Sequence, residues 1–167
     1  MDCIRRCEHS LSVRKLSLNG FWTVMSRRFA YGAMFYGPSR PDLKAPVVAT
    51  RDIAASGSRL LLNRSWSGQD RLAVLGPEDL SFNDMAATMT DVLGKPIRFQ
   101  PVPVEAYKAQ LMKFGASEAF AQSLVEMYVA KNNGLDNSEP RTPENTTPTS
   151  FRQWCVEVLR PVFLAAQ

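Results

Sequence analysis

Two short stretches carry side chains that could do chemistry together: Arg51-Asp52 in "PVVATRDIA" and Tyr128 with Lys131 in "MYVAK". A guanidinium beside a carboxylate at a strand-to-helix joint can hold a ligand, or it can cap the helix and tether a loop. We read the joint as scaffold, with Asp52 capping its helix and Arg51 pairing or tethering. Tyr128 and Lys131 are one residue too close for a Tyr-x-x-x-Lys acid/base pair, although three-residue spacing keeps them neighbours on a helix. Their favoured reading is an ordinary helix surface. Nucleophilic triads are excluded, because the only histidine is His9. Neither G-x-G-x-x-G nor G-x-x-x-x-G-K-[ST] occurs, so no glycine-rich phosphate loop is written in the chain. Cys3, Cys7 and His9 fall one ligand short of a closed zinc site, and three cysteines do not make a disulfide framework.

The elements that must position these groups follow from periodicity. Met34–Tyr36 is a short apolar run ended by a Gly/Pro loop, and Pro46–Ala49 is a strand by its valines. A helix follows, with Thr50 or Asp52 as its cap and Ile53, Leu60 and Leu61 on one face. Gly57 lies on that face, which predicts a helix pressed tightly against a sheet. Arg71–Leu75 reads as the next strand, closed by Gly76-Pro77. Ser81 with Asp84 approximates a capping box, ahead of a helical face of Phe82, Met85, Ala86, Met89, Val92 and Leu93 that Gly94 stops. Lys95–Val102 reads as a half-exposed strand, with Ile97 and Phe99 alternating against Arg98 and Gln100. Two helices then collect Val104, Tyr107 and Leu111, and Phe120, Leu124, Met127 and Tyr128. A polar, Pro-rich loop over 135–149 precedes a last helix with Phe151, Trp154, Cys155, Val158 and Leu159 on one face. That pattern makes Cys155 core, not nucleophile.

Composition narrows the function classes. The chain has 167 residues, 45% of them hydrophobic, which suits one domain with a core. No run of eighteen apolar residues could span a bilayer, and we expect no membrane partner and a cytoplasmic location. The net charge of +4 is unevenly spread: residues 1–40 hold +5 and residues 41–167 hold −1, so nucleic acid is not an expected partner.

Five segments, "VVATRDIA", "LAVLGPEDLSFNDMA", "VLGKPIRF", "VPVEAYKAQL" and "TTPTSFRQWCVEVLRP", together resemble the C-terminal portion of NmrA-like proteins, the atypical short-chain dehydrogenase/reductase group that binds NAD(P). The resemblance covers about residues 33–165. It implies an α/β fold: a partial Rossmann-like parallel sheet with flanking helices and a small, mostly helical substrate-side lobe toward the C-terminus. Residues 1–32 stand outside it and read as a basic leader, disordered or mis-predicted, with 33–167 the C-terminal part of an NAD(P)-binding domain.

The implied parent activity is that of an NAD(P)H-dependent reductase or a redox-sensing regulator, with NAD(P) as cofactor. The missing glycine loop implies a truncated member that binds the dinucleotide weakly or not at all, with no catalytic, cofactor or metal residue assigned. A sheet edge left without its neighbours predicts self-association, and a non-catalytic interaction module or non-functional fragment is the alternative reading. Substrate-pocket candidates are Phe35, Tyr36, Tyr107, Met112, Phe114 and Met127, apolar and adaptable enough for an aromatic or quinone-like molecule. The same six residues also suit an ordinary core.

Overall fold

Val47 and Val48 stand at the centre of the molecule, both buried, in a strand that other segments flank on either side. In the computed structural model the described residues are 16–17, 34–63, 66–68 and 71–165. The strands are β1 (Leu16–Ser17), β2 (Met34–Gly37), β3 (Ala45–Val48), β4 (Asp79–Leu80) and β5 (Arg98–Pro101). The helices are α1 (Thr50–Leu62), α2 (Phe82–Leu93), α3 (Val104–Lys113), α4 (Glu118–Asn132), α5 (Phe151–Trp154) and α6 (Arg160–Ala165). A π turn, Cys155–Leu159, joins the last two.

The sheet is divided in two. β3 pairs in parallel with β1, Leu16 opposite Val47, and antiparallel with β4, Ala45 opposite Leu80. β2 and β5 make a separate parallel pair, with Phe35 opposite Phe99. The fold is α/β with parallel strands and flanking helices, as expected, although the β3–β4 pairing departs from an all-parallel sheet.

α2 begins where the sequence places it. The Ser81 hydroxyl accepts the Asp84 N–H at 3.1 Å while the Asp84 carboxylate accepts the Ser81 N–H at 3.0 Å, a reciprocal capping box. Gly94 ends the helix at φ 67°, a left-handed turn that glycine adopts without a Cβ penalty. Between these caps Met85, Ala86 and Met89 are buried with Phe35, Val47, Ile97, Phe151 and Trp154. Each large side chain in that cluster contributes about 1.5–3 kcal/mol by leaving water. Ser81→Ala is expected to cost about 1 kcal/mol, read from the urea midpoint. The two hydrogen bonds from Ser81 hold the Asp84 carboxyl below the usual carboxylate range. Its contribution is therefore present above the ordinary carboxylate pKa and is lost as pH falls through the depressed value, and Ser81→Ala should flatten the acid limb of the stability profile.

Three expected features are corrected. Arg71–Leu75 is not a paired strand: a single parallel rung joins Leu75 to Thr146, with the Leu75 N–H donating to Asn145 and the Leu75 carbonyl accepting from Thr147. The chain is diverted there because Gly76 passes directly against the Val47 carbonyl. Gly57 does not press α1 against a sheet, since a Cβ there would meet nothing within 4 Å, and Leu61 and Leu62 of the same helix are 77% and 83% exposed. Gly57→Ala should accordingly stabilise the protein by about 0.5–1 kcal/mol in urea unfolding, through helix propensity alone. Val158 is exposed although Phe151, Trp154, Cys155 and Leu159 are buried, because the wider π turn shifts the helical phase and rotates it away from the face an α-helix would give it.

Candidate substrate-side site

The Arg51-Asp52 joint is a tether between distant segments. The Asp52 carboxylate accepts the Thr149 N–H at 3.1 Å and the Thr149 hydroxyl at 2.9 Å, and both residues are buried. Arg51 donates from Nε to the same hydroxyl at 3.0 Å and from Nη1 to Glu157 at 2.5 Å. The hydrogen bond from Gln153, with that from Arg51, holds the Glu157 carboxyl below its ordinary value. Arg51 thus ties α1 to the Pro-rich loop and the π turn, the role read from sequence. Asp52 does not cap its helix: the cap position is Ala49, with no side-chain hydrogen bond, because the Asp52 carboxylate turns away to the loop.

Tyr128 and Lys131 have separate partners. The Tyr128 ring meets Tyr107 edge-on at 5.3 Å, which locks α3 to α4, and burial together with Tyr107 raises the Tyr128 pKa. Lys131 pairs with Asp136 at 2.6 Å in a largely buried ion pair, inside the helix end instead of on an open surface. Cys155 is 0% exposed and burial pushes its thiol up to about 12, so it is core as expected. Cys3, Cys7 and His9 lie outside the described residues, and among the described residues no group of three or more His, Cys, Asp or Glu could hold a metal.

The six pocket candidates fall in two places. Phe35 is buried against Phe99 at 5.1 Å and Phe82 at 6.4 Å, with Tyr36 half-buried beside it on β2. Tyr107 lies between α3 and α4, while Met112, Phe114 and Met127 are exposed on that helical pair. What joins the two places was missed in the sequence. Asn132 at the end of α4 accepts the Arg40 N–H and donates to the Pro38 carbonyl, each at 2.9 Å, and Asn137 donates to the Lys44 carbonyl at 2.9 Å. Asn132 reads locally as a helix terminator; its bonds to a loop more than ninety residues away leave no mark in spacing.

A cleft of about 350 Å³ lies elsewhere, between α1, residues 72–74 and residues 143–148, and none of the six candidates lines it. The dinucleotide fit is poor throughout the described part. Pyrophosphate needs free amides at a helix N-terminus. Instead α1, α2, α3 and α4 each carry an acid in the first turn, namely Asp52, Asp84, Glu105 and Glu118, and α2 and α4 are already capped by Ser81 and Ser117. These carboxylates repel a phosphate where its amides should be.

Comparisons with known proteins agree with this architecture. The model of the NmrA-like family matches residues 19–154, beginning inside the stretch read as a leader. Prestalk A differentiation protein A of Dictyostelium discoideum is 28% identical over 142 residues, 79% of this chain and 47% of that protein. A (4-alkanoyl-5-oxo-2,5-dihydrofuran-3-yl)methyl phosphate reductase of Streptomyces griseus is 34% identical over 120 residues, 70% of this chain and 42% of that enzyme. The chain spans less than half the length of these two relatives. An NADPH-dependent quinone oxidoreductase of Escherichia coli superposes with TM-score 0.68 at 16% identity, covering 87% of this chain and 53% of that one, a likeness of Rossmann-like fold. With the family model matching most of its length and the expected segments in their expected places, this chain is a member of the NmrA-like family.

Proposed function

We propose that the described residues form the substrate-side part of an NAD(P)H-dependent reductase or redox-sensing regulator, and that this chain alone binds NAD(P) weakly or not at all. The observation that carries the reading is the contrast between the two halves of the task. An ordered α3–α4 lobe with exposed apolar side chains is present, while each of its longer helices starts with an acid where a pyrophosphate would sit. The reductases among the relatives support the reaction class.

In this reading Tyr36, Tyr107, Met112, Phe114 and Met127 wall the acceptor site, with Phe35 behind Tyr36. Their part is to shield an aromatic or quinone-like acceptor from water, not to move a proton. The protein would act in the cytoplasm, and self-association at its sheet edge belongs to the same proposal. Among the described residues no helix is long and apolar enough to cross a membrane.

Titration with NADPH, followed by nicotinamide fluorescence and by the thermal midpoint, is expected to show no saturable signal and no shift; micromolar affinity would overturn the proposal. With 1,4-naphthoquinone as probe, Phe114→Ala should weaken binding several-fold at an unchanged thermal midpoint, because Phe114 is 75% exposed and contributes little to the core. Equal affinity in the variant would remove Phe114 from the site.

A further inference from the structure

The cleft beside α1 belongs to neither the proposed acceptor site nor the core, and its walls carry backbone that the fold leaves unused. Residues 72–75 and 143–146 touch at the Leu75–Thr146 rung, and the cleft of about 350 Å³ lies between them on the N-terminal side of that rung. Leu72, Ala73 and Val74 make no hydrogen bond to any described residue, although Val74 is only 4% exposed. Buried amides and carbonyls are almost always paired, so an unpaired stretch on a cleft wall is a place for another chain to pair. The third wall is α1, where Ala55 and Ser56 leave room and Arg59 stands without an ion-pair or hydrogen-bond partner for its guanidinium.

We propose that this cleft accepts an extended peptide segment of a partner protein, which pairs as a strand with Leu72–Val74 and offers one acidic side chain to Arg59. The volume is at the lower end of ligand pockets and matches a few residues of extended chain. Strand addition takes its affinity from main-chain hydrogen bonds and its selectivity from side-chain pockets. The other charges at the site set that selectivity. Asp52 lines the cleft, but both its oxygens are held by Thr149. Glu144 stands on the loop wall, its carboxyl kept below the ordinary range by the hydrogen bond from Thr142, and so disfavours a second acid in the occupant.

The probe is the peptide acetyl-Thr-Val-Glu-Val-Thr-amide, titrated calorimetrically into the full chain. Saturable binding is expected, weakened at least five-fold by a Glu-to-Gln change in the peptide or by Arg59→Gln, and abolished by Ser56→Phe, which fills the cleft. Arg59 is exposed, so its variant keeps the test open if Ser56→Phe does not fold. Three results would each overturn the proposal: no binding of the peptide, binding that survives Ser56→Phe in a folded variant, or full displacement by equimolar acetate, which would reduce the cleft to a simple anion site.

Discussion

Gly76→Ala should abolish stable folding. A Cβ at this position would lie 1.6 Å from the Val47 carbonyl oxygen and 2.8 Å from its carbon, and both atoms are main chain of the central strand β3. No rotamer change relieves a clash with backbone; either β3 or the Leu75–Pro77 segment has to move. Moving β3 disturbs its pairing with β1 and β4 and the packing of Val47 against the α2 face. Moving the segment breaks the Leu75 rung at Asn145 and Thr147. The expected loss is at least about 3 kcal/mol, a large share of a stability that is typically about 5–15 kcal/mol. Urea unfolding of whatever soluble protein is recovered measures it. A change below about 1 kcal/mol would mean that the two segments separate easily.

The contrast with Gly57 shows how much of the structure the sequence could reveal. Both glycines sit beside apolar residues, and helical periodicity marks Gly57 as the tightly packed one. The reverse holds: open space surrounds Gly57, and Gly76, which looks like simple turn punctuation, meets the central strand. A glycine's neighbours across space depend on which segment returns to it, and local spacing carries no term for that. Where the determinant is local, the reading succeeds. Ser81 and Asp84 are three residues apart, so the box that starts α2 is visible in the chain itself, as are Gly94 as its stop and the alternation around Phe99.

The candidate site divides in the same way. The burial of Cys155 follows from a helical face, and the tethering by Arg51 from its place at a joint. The partners of Asp52, Asn132 and Asn137 lie more than ninety residues away in sequence and could not be named from it. The π turn was equally hidden, since it moves Val158 off the buried face by changing the helical period and leaves composition untouched.

Asp52→Ala is the substitution with the second largest expected effect, and it separates scaffold from ligand chemistry at the joint. It strips the buried Thr149 of the acceptor for both its N–H and its hydroxyl. Burying an unpaired donor costs about 1–3 kcal/mol, so losing both should lower stability by about 3 kcal/mol. Asp52→Asn should cost less, about 1 kcal/mol, because its carbonyl can still accept from the Thr149 amide. Its amide group then competes with Arg51 Nε for the Thr149 oxygen. Arg51→Ala should cost under about 1 kcal/mol, since the pair with Glu157 is solvent-exposed on both sides. A double-mutant cycle with Thr149→Val tests the assignment: removing both partners of one bond costs less than the sum of the single changes, and a coupling of about 1 kcal/mol or more is expected. Additive effects would mean that Thr149 and Asp52 do not support one another. If stability instead survived Asp52→Ala intact, a buried carboxylate would be present without a folding role, and the joint would return as a candidate ligand site.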